Sequence, residues 1–157
     1  MVTKMTRREV REVAFMILFQ TEFRIDVDID DTVRQYHTMD DDNTDNDEEE
    51  KANPVNLSPA DRKYIETVVN GVKEHKKEID SIISEFAKGW TVERLIKVDV
   101  SVLRYGIFEM TYMQDKTPPE VSINEAVEIA KKYGTEKSKA FVNGVLSSYY
   151  KKLKEIG

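Results

Sequence analysis

The chain has 157 residues, 39% of them hydrophobic and 34% charged, a length that fits one domain burying roughly 70% of the surface its unfolded chain exposes. No run approaches the ~20 apolar residues of a membrane span, and with no cysteine there are no disulfides, thiolate nucleophiles or Cys-based zinc sites. The formal net charge of −6 argues at first against a nucleic-acid partner, but residues 38–53 hold eight carboxylates against Lys51 alone and so carry −7, leaving +1 on the remainder.

Thr6 followed by Glu9 has the form of a capping box and predicts a helix running to about Phe23. Val10, Val13, Ala14, Ile17 and Leu18 share one side of it, while Phe15, Phe19 and Phe23 form a second line at i, i+4, i+8. A helix with apolar surface on two sides touches two different things. The leading residues Lys4, Arg7 and Arg8 are basic, but the apolar residues after them are interleaved with Arg11, Glu12, Gln20 and Glu22. That is no signal-peptide core, and a cytoplasmic protein is expected.

Between Ile25 and Met39 the periodicity is weak and suggests a short helix containing Val33 and Tyr36. Asp40 to Glu50 has no apolar residue to offset its ordering entropy, so an acidic disordered loop is expected at about 40–53. The Asp-x-Asn-x-Asp run from Asp41 opens like a calcium loop, but Asn46 stands where glycine is needed and Ala52 where a bidentate Glu should be. Ser58 and Pro59 then start a helix carrying Tyr64, Ile65, Val68, Val69 and Val72, and Ile79, Ile82, Ile83 and Phe86 continue the pattern towards Gly89. Thr91 can cap a short turn reaching Leu95.

Val98 to Met113 is apolar around nearly its whole circumference, which marks a buried helix. Pro118 and Pro119 break the chain, and Ser122 with Glu125 forms a second capping-box pattern for a helix ending at Tyr133 and Gly134. A last helix runs from about Ser138 to Leu153, with Val142, Val145, Leu146, Tyr149 and Leu153 inward. Nothing alternates with period two, so the fold class is all-α.

Three groups of side chains carry chemistry. Lys4, Arg7, Arg8 and Arg11 make a cationic strip at a helix N-terminus, where the macrodipole disfavours cations by about 0.3 to 1 kcal/mol each. An RNA backbone explains it; so does a solvated face balanced by Glu9 and Glu12. Phe141, with Lys137 and Lys139 before it, can stack on an unpaired base or pack in the core. The Phe15, Phe19 and Phe23 line is either core packing or a protein-binding stripe. Asp99, Arg104 and Glu109 lie within the buried helix and call for partners, as ion pairs or, for Asp99 near the helix start, at a partner surface. Catalysis finds no support: His37 and His75 are the only histidines, and no nucleophile elbow or phosphate-binding glycine loop exists. No His/carboxylate cluster has metal-ligand spacing, so no metal or cofactor is expected.

Four motifs in order, Arg7-Arg8-Glu9-Val10-Arg11-Glu12 with Phe19-Gln20, Val98-Asp99-x-x-Val102-Leu103-Arg104 with Glu109, Ile123-Asn124-Glu125-Ala126-Val127-Glu128-Ile129-Ala130-Lys131, and Phe141-Val142-Asn143-Gly144-Val145-Leu146, give a set that resembles the NusB family of transcription antitermination factors. The likeness covers residues 4–23 and about 58–153. It implies a non-enzymatic all-α fold of about seven helices in two packed sub-bundles, a single domain over 1–157. It also implies binding of single-stranded boxA-type RNA together with the small-subunit ribosomal protein NusE, within the RNA polymerase antitermination complex that serves ribosomal RNA operons.

The matching RNA-binding positions are Lys4, Arg7, Arg8, Arg11, Lys137, Lys139 and Phe141; the matching partner positions are Phe19 and Asp99, to which helical spacing adds Phe15. The second apolar face of the first helix also permits a homodimer, and no membrane partner is expected. The acidic insertion at 40–50 departs from the family pattern, and Lys137 stands where the family can carry an acid. The competing readings are an RNA-positioning NusB-like module of an RNA cytosine methyltransferase, although the chain contains no methyltransferase sequence, and a protein-interaction helical bundle.

Overall fold

The structure, a computed structural model, describes residues 4–24, 26–39 and 57–156. Among them are seven α-helices and no strand: α1 (Arg7–Thr21), α2 (Ile29–Met39), α3 (Pro59–Glu74), α4 (Lys76–Phe86), α5 (Lys97–Tyr112), α6 (Pro119–Tyr133) and α7 (Ser138–Ile156), with a 3₁₀ turn at Val92–Arg94 before α5. The all-α expectation is met. The acidic segment expected at about 40–53, with its calcium-like run, lies outside the described residues. The chain divides into two compact units, Met1–Thr67 and Val68–Gly157, with the boundary inside α3.

In the first unit the Thr6 capping box forms in both directions: Glu9 N–H donates to Thr6 Oγ1 at 3.2 Å and Thr6 N–H to Glu9 Oε1 at 2.9 Å. Such a cap contributes about 1 kcal/mol. Val10, Val13, Ala14, Ile17 and Leu18 are buried as their spacing predicts, and α2 packs on α1 through Val33 and Tyr36. Ser58 Oγ accepts the Asp61 N–H at 3.1 Å, which fixes the start of α3, and Arg62 pairs with Asp30 to tie α3 to α2.

In the second unit, the apolar pattern that continues from Val68 to Phe86 is broken at His75, where φ is −104° and ψ 21°. The backbone ladder still crosses the break, His75 N–H to Gly71 O and Ile79 N–H to His75 O, each at 2.9 Å, so the two helices meet at a kink. The His75 ring stacks on Tyr112 with centroids 4.3 Å apart. Tyr112 in turn donates to Glu78 at 2.6 Å, which pushes the phenol pKa up to about 12. The turn expected after Thr91 is present, but Thr91 makes no side-chain cap and the turn rests on backbone bonds alone.

Helix α5 is the core of this unit, buried from Asp99 to Met110; α6 and α7 pack on it and on each other, and α4 flanks it. A Cβ on Gly106 would sit 2.9 Å from a Leu146 methyl, so glycine lets α5 and α7 approach this closely. The charges inside the helix have partners: Arg104 grips Asp80 with two bonds of 2.9 and 3.0 Å, and Glu109 accepts from Ser122 Oγ at 2.9 Å. This last contact corrects the capping box expected at Ser122 and Glu125. Helix α6 starts four residues earlier, with Pro119 as its first residue and Pro118 at the cap. Proline's fixed φ suits a first helical position, and that leaves Ser122 buried inside the helix to satisfy Glu109.

Candidate nucleic-acid interface

Each unit presents its own cationic surface. In the first, Lys4, Arg7 and Arg8 are exposed at the start of α1. Arg7 is held in place: its guanidinium lies 4.5 Å from the Tyr64 ring centroid, and its Nη1 is 3.9 Å from Asp61 Oδ1. Neither Tyr64 nor Asp61 was marked by the sequence as part of this surface. Arg11, expected as the fourth member of the strip, is only 8% exposed, so little of it lies at the surface beside the other three. By its second turn α1 is enclosed on nearly every side, and Arg11 and Glu12 are both engaged within the fold. Lys4, Arg7 and Arg8 form the exposed part of the strip.

The phenylalanine line forms a ladder, Phe15 stacked on Phe19 at 6.2 Å and Phe19 edge-on to Phe23 at 5.2 Å. Phe15 is 2% exposed and is core, which corrects its assignment as a partner contact. The surface part of the ladder is the half-buried Phe19 and Phe23, the latter 63% exposed. Phe23 continues the i, i+4, i+8 line beyond the end of α1, a signal visible in the sequence but not carried through to a contact.

In the second unit, Lys137 and Lys139 are exposed and Phe141 is half-buried along the start of α7, with Val142 inward beside it. The segment leading into α7 is pinned by its own hydrogen bonds. Lys137 N–H donates to Thr135 Oγ1 at 3.3 Å, Thr135 N–H donates to Ser138 Oγ at 3.0 Å, and the two hydroxyl oxygens lie 3.3 Å apart. A Cβ on Gly134 would fall 2.4 Å from Ser138 Oγ, so the chain passes this point only without a side chain. Just before it, the Lys132 ammonium lies 5.4 Å from the Tyr133 ring centroid, extending the basic and aromatic character of this surface.

Asp99, in the first turn of α5, is 8% exposed. Burial pushes its carboxyl pKa up, and the Ser138 hydrogen bond pulls it partly back. Among the described residues Oδ1 of this carboxylate has no hydrogen-bond partner. Nearby in sequence, Ile96, which caps α5, is exposed. Among the described residues no cluster of His, Cys, Asp or Glu is arranged to hold a metal, and no helix is long and apolar enough to cross a membrane.

Exposed lysines and arginines beside aromatic rings on an all-helical chain have the chemistry of an anion-binding surface. The sequence model of the NusB family matches residues 8–151, and the chain belongs to the NusB family. A transcription antitermination protein NusB from Agathobacter rectalis is 39% identical over 145 residues, 92% of this chain and 99% of that protein. One from Acetivibrio thermocellus is also 39% identical, over 94% of this chain and 90% of its own length. Among solved structures, T. maritima NusB is 34% identical with a TM-score of 0.72 and covers 93% of this chain and 91% of its own. A structure of antitermination factors NusB and NusE in complex with dsRNA is 29% identical with a TM-score of 0.68, covering 92% and 96%. Family membership places the chain among antitermination proteins and outside the enzymes.

Proposed function

We propose that this protein is an RNA-binding transcription antitermination factor that acts in the cytoplasm. It binds boxA-type single-stranded RNA together with the ribosomal protein NusE, within the RNA polymerase antitermination complex at ribosomal RNA operons. The observation that carries the reading is the start of α7, where Lys137 and Lys139 are exposed and Phe141 is half-buried. Lysines at that spacing neutralise phosphates while a ring stacks on an unpaired base, an interaction of about 1 to 3 kcal/mol per base. Lys4, Arg7 and Arg8 supply a second cationic surface on the other unit, and residues 1–157 act as one RNA-binding domain. Phe19, Phe23 and Asp99 are assigned to the protein partner.

Kinship with proteins named for antitermination, and with a NusB solved beside NusE and dsRNA, supports the same reading. Because that relative was solved with a duplex, the test compares single-stranded boxA-type RNA, a scrambled single strand and a duplex, each with and without NusE. Tighter binding of the boxA-type strand, strengthened by NusE, is the expected result. Equal binding of all three RNAs would refute the assignment of single-stranded specificity.

A further inference from the structure

Helix α7 contains a glycine that nothing inside the protein requires. A Cβ on Gly71 would fall 2.1 Å from the Phe108 ring, one on Gly106 2.9 Å from Leu146 and one on Gly134 2.4 Å from Ser138, while Gly89 has φ +92°. Gly144 is different. It is exposed in the middle of a 19-residue helix, and a Cβ built on it meets no atom within 4 Å. Glycine is the poorest helix former after proline, because it gives up the most backbone freedom on ordering. Alanine would serve this position better if the helix alone decided, so the bare backbone points to something that approaches closely from outside.

Gly144 also lies on a defined line. Steps of four, three, four and three residues join Lys137, Phe141, Gly144, Ser148 and Lys151, which therefore share one side of α7. The Lys137 carbonyl accepts the Phe141 N–H at 3.1 Å, so the first of them already belongs to the helical ladder. Four of the five are exposed, and Phe141 is half-buried at the border of the inner face. At 1.5 Å per residue the line from Lys137 to Lys151 is about 21 Å long. The helix carries four lysines, and Glu155 is its only acid. Among the described residues neither Lys137 nor Lys151 makes an ion pair. A cation stands at each end, an aromatic ring follows the first, and the helix between has no bulk.

We propose that RNA continues past Phe141 along this line, its sugar-phosphate backbone lying against the bare helix at Gly144 and a phosphate beyond held by Lys151. The proposal rests on the functional reading above, in which Lys137 and Phe141 meet RNA, and adds to it a steric position and a second anchoring cation. Any side chain at position 144 holds the strand off the helix and loosens both the stack on Phe141 and the contact at Lys151. Ser148, one turn on, keeps the track low and offers a hydroxyl to a phosphate or a 2′-OH.

The test follows binding of the boxA-type single strand by Gly144→Ala, Gly144→Gln and Lys151→Ala, beside thermal melts. Alanine and glutamine form helix better than glycine and meet open space here, so both variants should melt at or above the parent's temperature. Their RNA affinity should nonetheless fall, by roughly tenfold for glutamine, comparable to one stacked base, and by less for alanine. Their salt dependence should not change, since no cation is lost, whereas Lys151→Ala should flatten the slope of log affinity against log salt by about 0.7. Gly144→Gln binding RNA as tightly as the parent overturns the track, and so does an unchanged slope in Lys151→Ala. A Gly144→Ala variant that melts well below the parent makes the glycine structural and overturns it too. A Gly144→Gln variant that keeps RNA and loses NusE places a protein on this face instead. An intact protein that binds no RNA at all overturns the functional reading itself.

Discussion

The Arg7 guanidinium stacks 4.5 Å from the centre of the Tyr64 ring. Arginine lies well on aromatic faces, and with Asp61 at 3.9 Å on the same group the side chain is restrained before any ligand arrives. Less conformational entropy is then lost when a phosphate is bound.

Replacing Arg7 and Arg8 together by alanine should weaken RNA binding and flatten the slope of log affinity against log salt by about 1.4, at ~0.7 per phosphate contact on a single strand. Helical content should not change. Arg11→Ala should behave in the opposite way, lowering the melting temperature with the slope intact, because Arg11 is buried and engaged within the fold. Salt titrations and thermal melts of both variants check this; a slope lost in Arg11→Ala contradicts the assignment.

The phenylalanine ladder divides by depth. Phe15→Ala should cost about 3 to 5 kcal/mol of stability, as for other buried phenylalanines. Phe19→Asp and Phe23→Asp should leave a folded protein that no longer associates with NusE, measured by co-sedimentation beside a circular-dichroism melt. Unfolding of Phe23→Asp would contradict its place on the surface.

Ser122→Ala removes a hydroxyl donor from the buried Glu109 carboxylate. A loss of about 1 to 3 kcal/mol in denaturant unfolding is expected, with RNA affinity unchanged. An unaffected midpoint would mean that this bond contributes nothing net.

Asp99 predicts a pH dependence of known sign. Its carboxyl pKa is raised by burial, so the folded chain holds this proton more tightly than the unfolded chain does. The group's contribution to stability is present in full below the ordinary carboxylate range and is lost as pH rises through the raised value. Asp99→Asn cannot ionise. The melting temperature of this variant minus that of the parent should therefore become more positive from pH ~3 to pH ~7. A difference that stays flat, or falls, contradicts the direction.

How far the sequence reached depends on how local each cause is. The Thr6 and Glu9 box closes within one helical turn and was readable from spacing alone. The same pattern at Ser122 and Glu125 misled, because Pro119 offers an earlier start and a buried carboxylate on another helix needed a donor. Arg7 and Arg11 look equivalent at i, i+4, and only the packing around the second turn of α1 separates a surface cation from a buried one. The candidate site at α7 was half legible: Lys137, Lys139 and Phe141 stand out by type, whereas the depth at which each of them sits is set by packing. The kink at His75 left no glycine or proline to announce it.

The central claim is that basic side chains and an aromatic ring on this helical scaffold take up a specific single-stranded RNA. One titration tests it most directly: boxA-type against scrambled RNA, over a range of salt, for the intact protein and for Phe141→Ala combined with Lys137→Ala. The intact protein should prefer the boxA-type strand, and the double variant should lose roughly tenfold or more of its affinity, as expected for one stacked base at 1 to 3 kcal/mol. Equal affinity for both strands, or a double variant that binds as tightly as the intact protein, would contradict it.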